Sequence, residues 1–568
     1  MVVFNDAEEE KRIDFLRKRE EEELAQALAG KYGVEYVDLS LVAINTDALR
    51  LISDAEARDA EAVAFGRVGK RVSLAARSPE NPKVKALVQK LSDLGYEVAE
   101  FITSGESLKR AYARYAELSY ATETKAGVFE LSNEELEELL GKVENLGDIA
   151  ALVQEAIDLK RAYRTTRILE VILAGGLATG ASDVHFEPEE DKVRLRYRLD
   201  GILVDVLTFD YETYKQVLSR LKLLSGLKLN VADEAQDGRF SIKVQGEEIE
   251  LRTSILPGNY AETLVLRILN PKSIGVPLEA LGMDESLRIR IEKEISKPNG
   301  MILTTGPTGS GKTTTLYAFL RKVNEPGTKI ITIEDPVEYH LNGIVQTQVD
   351  KKTYTFASGL RSALRQDPDI IMIGEIRDAE VAEVAINAAL TGHLVFSTLH
   401  TNDAAGSFPR LIDLGVSEKV LSSAVNVAMA QRLVRKLCDA CKKERTATAE
   451  EQGLIDRTLA GIVNKALIPS QQNVVYEANP QGCAVCGGRG YKGRIGVFEA
   501  IFMDNAIETI LRDKPSEREV AAAAKPQAVP TMREDGVLKV LKGVTSLEEL
   551  GRVVDLTAIE SMAPQTQH

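Results

Sequence analysis

The chain contains no tryptophan, and its aromatic residues amount to only 5% of the whole. Intrinsic fluorescence is therefore expected to be weak, and few rings are on offer for stacking nucleobases. No apolar run reaches the roughly 18 residues of a membrane-crossing helix, so no transmembrane segment is expected. Positive charge is in deficit, with 71 Lys and Arg against 86 Asp and Glu, a net charge of −15. Phosphate contacts supply most nucleic-acid affinity, so no nucleic-acid partner is expected. The opening Met1-Val2-Val3-Phe4-Asn5-Asp6 lacks a basic segment followed by an apolar one, which predicts no signal peptide and a cytoplasmic location.

Cysteine is scarce and clustered. The four are Cys438, Cys441, Cys483 and Cys486, two CxxC pairs. In a reducing compartment this pattern reads as a metal site rather than disulfides, and four thiolates suit a tetrahedral structural Zn²⁺. Residues 442–482 separate the pairs, more than a simple zinc ribbon spans, so an insertion fills the gap. The redox alternative needs a CxxC opening a helix in a thioredoxin-like unit, and no such context occurs.

The most informative stretch that is present is Gly306-Pro307-Thr308-Gly309-Ser310-Gly311-Lys312-Thr313, between the apolar Met301-Ile302-Leu303 and a helical pattern from Thr314. Strand, glycine loop and helix in that order form a phosphate-binding P-loop. The glycines let backbone N–H groups surround a polyphosphate, and the helix N-terminus adds positive potential. Lys312 reaches the β- and γ-phosphates, and Thr313 can hold Mg²⁺.

With 568 residues the chain exceeds one core, and at least three domains are expected. Residues 7–23 read as a charged, solvated helix, and residues 24–102 as a small α+β domain. An acidic helical connector follows, with a capping box at Ser132-Asn133-Glu134-Glu135. A second α+β domain begins near residue 160. There Arg239, Arg252 and Arg267 alternate with the apolar residues of three strands, so each points away from its own apolar set. They share one sheet face if the strands are neighbours; a solvated face with surface ion pairs is the plainer alternative. Residues 274–434 show apolar runs at 301–304, 329–333, 370–373 and 394–397 alternating with helices, the pattern of a mostly parallel sheet covered on both sides.

Acidic and histidine residues collect where these strands end. Ile331-Thr332-Ile333-Glu334-Asp335-Pro336-Val337-Glu338 places three carboxylates after a strand, and Ile370-Ile371-Met372-Ile373-Gly374-Glu375 is a Walker B pattern. Glu375 can serve the Mg²⁺ shell, and Glu338 is the candidate base for the attacking water. Of five histidines, His393 begins a strand and His400 follows its end, so His400 is the candidate γ-phosphate sensor.

In combination these residues resemble the type II secretion and type IV pilus assembly ATPases. Four boxes occur in that family's order: the Walker A loop 306–313, the acidic box 331–338, the Walker B segment 369–378 and the histidine box 391–402. Ala181-Ser182-Asp183-Val184-His185-Phe186-Glu187-Pro188 and Gln236-Asp237-Gly238-Arg239 are also signature-like. The resemblance implies a multidomain α/β chain: an N-terminal α+β domain (1–103), a helical connector (104–159), an arginine-bearing PAS-like domain (160–272), a RecA-like P-loop NTPase domain (273–434), a zinc-binding tetracysteine insert (435–494) and a helical C-terminal domain (495–568). It implies ATP, Mg²⁺ and Zn²⁺ as ligands. The nucleotide would meet the loop 306–313 together with Thr314, Glu334, Asp335 and Glu375. Glu338, Glu375, Lys312, His400, Arg239, Arg252 and Arg267 would act on the phosphates or the water, the arginines as fingers.

The same resemblance implies a homo-hexameric ring on the inner face of the cytoplasmic membrane. It would act on an inner-membrane platform protein, with a cytoplasmic membrane-recruiting protein as a further partner. Retraction motors lack the tetracysteine insert and the extra N-terminal domain, so extension or secretion is expected. Some relatives bind cyclic di-GMP through tandem Arg-Leu-Gly-centred repeats; residues 1–36 hold none, and that ligand is not expected. Asn259-Tyr260-Ala261 departs from the glycine, acid and base that relatives often carry. The competing readings are a non-hydrolysing nucleotide-gated ring scaffold and a DNA-transfer or retraction motor of the same superfamily.

Overall fold

A computed structural model describes residues 20–115, 128–130, 139–157 and 161–556, except residues 43, 50, 140, 144, 245–246, 271–274 and 351–352. The expected capping box at Ser132 and the segments 1–19 and 557–568 lie outside the described residues. The chain sorts into two compact units, Met1–Thr122 with Gln154–Glu170, and Glu123–Val153 with Val171–His568.

The first unit carries β1 (Glu35–Tyr36), β2 (Ala62–Val68), β3 (Arg71–Ala76) and β4 (Glu97–Ile102) in the order β1-β4-β3-β2. The helix Pro82–Asp93 joins β3 to its parallel neighbour β4. Asn81 caps that helix through Lys83 N–H and Pro82 opens it, where a missing N–H costs nothing. Val84, Leu87 and Leu91 form its buried face, at the spacing a 3.6-residue period requires. This unit thus combines helices with a mixed four-stranded sheet.

In the second unit a seven-stranded sheet has the order β5-β9-β10-β11-β6-β7-β8. Its strands are β5 (Val128–Glu130), β6 (Asp183–Pro188), β7 (Val193–Leu199), β8 (Ile202–Phe209), β9 (Gln236–Val244), β10 (Glu247–Leu256) and β11 (Thr263–Leu269). β5 falls inside the stretch expected as a helical connector: helices Gly105–Ala113 and Leu146–Ile157 flank it, but Val128–Glu130 pairs in parallel with β9. Val193, Leu195 and Tyr197 are fully buried while the arginines between them are not. The strands carrying Arg239, Arg252 and Arg267 are neighbours, and Arg252 stands directly opposite both of the others. Arg267 in turn faces Asp183, which faces Arg198.

The P-loop belongs to another seven-stranded sheet, ordered β14-β13-β15-β16-β12-β17-β20. Its strands are β12 (Gly300–Thr305), β13 (Ile330–Glu334), β14 (Val345–Gln348), β15 (Ile370–Ile373), β16 (Leu394–Leu399) and β17 (Val425–Leu437). Between β17 and the last strand lie β18 (Lys443–Thr446) and β19 (Val474–Glu477), and β20 (Tyr491–Phe502) closes the sheet. All neighbours are parallel except β17 and β20. Met301 and Leu303 enter one core, Ile302 the other. Both faces are thus covered by apolar packing, which is why these strands read as unbroken hydrophobic runs. Because β13, β15, β16 and β12 are parallel neighbours, the loops after them open at one edge of the sheet.

Two expected boundaries fall inside strands. The insert was expected over 435–494 and a helical domain from 495, yet β17 runs to Leu437 and β20 from Tyr491, paired antiparallel with Leu437 opposite Tyr491. Phe498 and Phe502 are buried in the sheet's core, and burial of that apolar run makes the segment a strand. The excursion is therefore 438–490, and the C-terminal helices begin at Asn505. Among the described residues no helix is long and apolar enough to cross a membrane.

Candidate nucleotide site

Three P-loop glycines have positive φ: Gly306 at 145°, Gly309 at 81° and Gly311 at 92°. At two of them a side chain has no room. A Cβ on Gly306 would lie 2.6 Å from the Gln431 carbonyl, and one on Gly311 would lie 2.7 Å from Gln431 Nε2. Gly311 caps the helix Lys312–Val323 without a side-chain hydrogen bond, so the first N–H groups of that helix await an acceptor. Ser310 Oγ is buried and unpaired among the described residues. Left-handed glycines, an uncapped helix N-terminus and an orphaned hydroxyl fit a polyphosphate. Pro307 and Thr308 are exposed, and Thr313 and Thr314 open the helix half-buried. Lys312 Nζ donates to the carbonyls of Gly306 at 2.7 Å and Pro307 at 3.2 Å. Burial holds its amine below the usual lysine range, offset by Glu375 and reinforced by Arg432.

Glu375 lies at the end of β15 and is largely buried. One oxygen pairs with Arg377, and the other lies 3.3 Å from His400 Nε2. The structure thus brings together the Walker B acid and the histidine that the sequence singled out separately. His393, at the start of β16, instead places Nδ1 3.1 Å from the Ala388 carbonyl.

The acidic box divides. Asp335 is exposed, 4.0 Å from Arg377. Glu338 pairs with Arg252 Nη1 at 3.0 Å, and Arg252 Nη2 donates to the Val337 carbonyl at 3.0 Å. Glu334, expected among the nucleotide contacts, is buried and hydrogen-bonded to Tyr317 of the P-loop helix. It is 2% exposed, with Oε2 accepting from Tyr317 at 2.5 Å and Oε1 from Thr332 at 2.5 Å and Gln346 at 3.2 Å. Burial pushes its carboxyl up. Three buried donors hold the carboxyl in place.

Of the arginine row, Arg267 Nε pairs with Asp183 at 3.0 Å, and Arg239 lies 3.9 Å from Glu250. Their side chains are 61% and 75% exposed, against 25% for Arg252. Arg252 alone of the three therefore spends its charge on the acidic box, and the other two face outward.

The four cysteine sulfurs lie within 4.8 Å of one another. Cys438 and Cys483 are 3.8 Å apart, Cys441 and Cys486 3.9 Å, Cys483 and Cys486 3.8 Å. A tetrahedral ion bound at about 2.3 Å needs sulfurs roughly 3.8 Å apart, so the donor set fits zinc. The thiols split: against burial, the N–H groups of Cys483 and Gly490 bring Cys486 down, whereas burial pushes Cys438 and Cys441 up.

Residues 159–552 match the family of type II/IV secretion system proteins. The chain belongs to this family. Residues 32–123 match the MshEN domain. The type II secretion system protein E of Pseudomonas aeruginosa is 42% identical over 423 residues, covering 74% of this chain and 82% of that protein. The type IV pilus assembly ATPase PilB of Myxococcus xanthus is 35% identical over 538 residues, covering 94% and 91%. A solved structure of the pilus retraction motor PilT with bound ADP is 25% identical, with a TM-score of 0.46 over 70% of this chain and 98% of that one. As a member of the family this chain is an ATPase of the kind that serves secretion or pilus assembly.

Two residues lie against the P-loop without belonging to any of the four boxes. Gln431 is 1% exposed and accepts from Thr315 Oγ1 at 2.7 Å, and Arg432 donates to the Asn402 carbonyl at 2.6 Å. The available signal was a polar pair interrupting the apolar run of β17.

Proposed function

We propose that the chain is a ring-forming motor that hydrolyses ATP to drive pilin-like subunits into a filament, in pilus extension or in type II secretion. The observation that carries this reading is the meeting of Arg252 with Glu338. It sets one member of the arginine row against the acidic box, after β13, in the sheet whose β12 leads into the P-loop and whose β15 leads into Glu375. The backbone from Gly306 to Gly311 and Lys312 would hold the phosphates. Mg²⁺, when bound by Thr313 with Glu375 and Asp335 nearby, supplies charge neutralisation at the β- and γ-oxygens. Glu338 would orient the water as general base, His400 would meet the γ-phosphate, and Arg239, Arg252 and Arg267 would stabilise charge on the transferring group.

This reading assigns a RecA-like core to the β12–β17 and β20 sheet and a PAS-like fold to the arginine-bearing sheet. It assigns structural Zn²⁺ to the cysteines of the 438–490 excursion, and the N-terminal secretion-ATPase domain to residues 1–103. It also assigns a homo-hexamer working from the cytoplasmic side on a membrane platform protein. The cysteine set and the MshEN match support extension or secretion over retraction, since both features were the ones expected to be missing from retraction motors.

The experiment is steady-state phosphate release with ATP and Mg²⁺, wild type against Glu338→Gln. Turnover that disappears in the variant while nucleotide still binds supports the motor and its base. Equal rates sink the Glu338 role, and a wild type silent even with its membrane platform favours a nucleotide-gated scaffold.

A further inference from the structure

One side chain outside the nucleotide boxes hydrogen-bonds the backbone of the histidine box and lies beside the opening glycine of the P-loop. Arg432 lies half-buried on β17, the neighbour of β12. Its Nη2 donates to the Asn402 carbonyl at 2.6 Å and its Nη1 to the Gln431 carbonyl at 3.0 Å. The same Nη1 stands 3.0 Å from where a Cβ on Gly306 would be. Gly306 opens the P-loop, and its carbonyl receives Lys312 Nζ. Asn402 lies two residues beyond His400, whose ring meets Glu375. The guanidinium therefore stands between the P-loop and the loop that carries His400.

The surroundings hold that loop from a second side. Glu499 of β20 accepts the Ala404 N–H at 2.7 Å. Arg432 is held below the usual arginine range by burial, while Glu499 and Asp403 favour its charge. The guanidinium thus takes a carbonyl at 402 and the Glu499 carboxyl takes an N–H at 404, which fixes the segment from both directions.

We infer that Arg432 is a positioning residue for ATP hydrolysis, setting the His400 loop at a fixed distance from the P-loop. The inference rests on the reading in which His400 and Glu375 face the γ-phosphate. A planar guanidinium can serve two carbonyls in fixed directions, whereas an ammonium is a point donor. Misplacing a catalytic group by about 1 Å costs on the order of a hundredfold in rate.

The test is a double-mutant cycle on the full chain: wild type, Arg432→Met, His400→Ala and the double variant, with Arg432→Lys alongside. Phosphate release and equilibrium ADP binding are measured for each. Arg432→Met is expected to lower kcat about tenfold or more while ADP affinity stays within about threefold. The double variant is expected to be no slower than the slower single variant, because Arg432 acts through the loop that His400 occupies. Arg432→Lys is expected to restore little. Losses that multiply in the double variant, or an ADP affinity that falls as far as kcat, overturn the inference. If Arg432→Met does not fold, Arg432→Gln replaces it in the same cycle. A wild type without turnover would overturn the functional reading itself, a result separate from additivity in an active enzyme.

Discussion

Arg252 and Glu338 form an ion pair of 3.0 Å across two sheets of the same unit. In this arrangement the candidate finger covers the candidate base. An arriving γ-phosphate would compete for the guanidinium and leave the carboxylate free to meet water. Arg252→Gln is then expected to lower kcat by about 10²–10³, the usual cost of losing one preorganised charge donor. Phosphate release at saturating ATP measures it. A loss confined to KM would show that Arg252 only helps binding.

Gly306→Ala is expected to abolish nucleotide binding and to destabilise the motor by about 1–3 kcal/mol. The new methyl would meet the Gln431 carbonyl at 2.6 Å, and neither backbone can retreat without moving β12 or β17. Thermal melting and ADP titration of the variant check both halves.

The parts of this site that could be read from sequence are those with strong local patterns. The P-loop and the ends of β12, β13, β15 and β16 followed from apolar runs punctuated by glycine and acid. The arginine row was visible as a face, but its register required knowing that β9, β10 and β11 pair in that order. The burial of Glu334 could not be read locally, because a carboxylate at a strand end looks the same from either side. All of β13 is buried on both faces, so alternation along the strand gives no clue to which side Glu334 takes. Gln431 and Arg432 went unnoticed because polar residues in a strand ordinarily mark an exposed edge. β20 was hidden because the helices that follow it dominate the periodicity.

Removing the metal ligands should loosen the excursion. Cys483→Ser, or prolonged chelation, is expected to release zinc and to cost about 3 kcal/mol, comparable to a lost cross-link. For a domain of this size that is a fall of roughly 6–12 °C in melting temperature. Metal analysis alongside calorimetry tests it. An unchanged metal content of zero in the wild type would refute the zinc assignment.

Stability should also depend on pH on the acid side of neutrality. Glu517 is raised from 4.5 to about 7, first by its hydrogen bond to Asp403, then by burial and by the charges of Asp403 and Glu499. A carboxyl raised by folding takes up a proton as the chain folds, so its contribution is full at low pH and fades as pH rises through about 7. The melting temperature is expected to drop between about pH 4.5 and pH 7 and level off above, and Glu517→Gln to flatten that drop and melt higher at pH 8. Because Glu517 is exposed, solvent screening limits the effect to about 1 kcal/mol. A pH-independent melting curve in the wild type would refute it.

Leu437 and Tyr491 are directly paired at the mouth of the excursion. Residues 438–490 leave and re-enter the sheet at a single rung, so topologically they are the overgrown turn of a hairpin. The chain could lengthen, shorten or exchange that turn over evolutionary time without rethreading one strand of the motor. What restrains such exchange is the helix Met532–Leu541: Ile455, Leu459 and Val475 of the excursion share a core with its Val537 and Val540. A lineage that discarded the cassette would have to repaint that helix with polar residues, a change that sequence comparison could date.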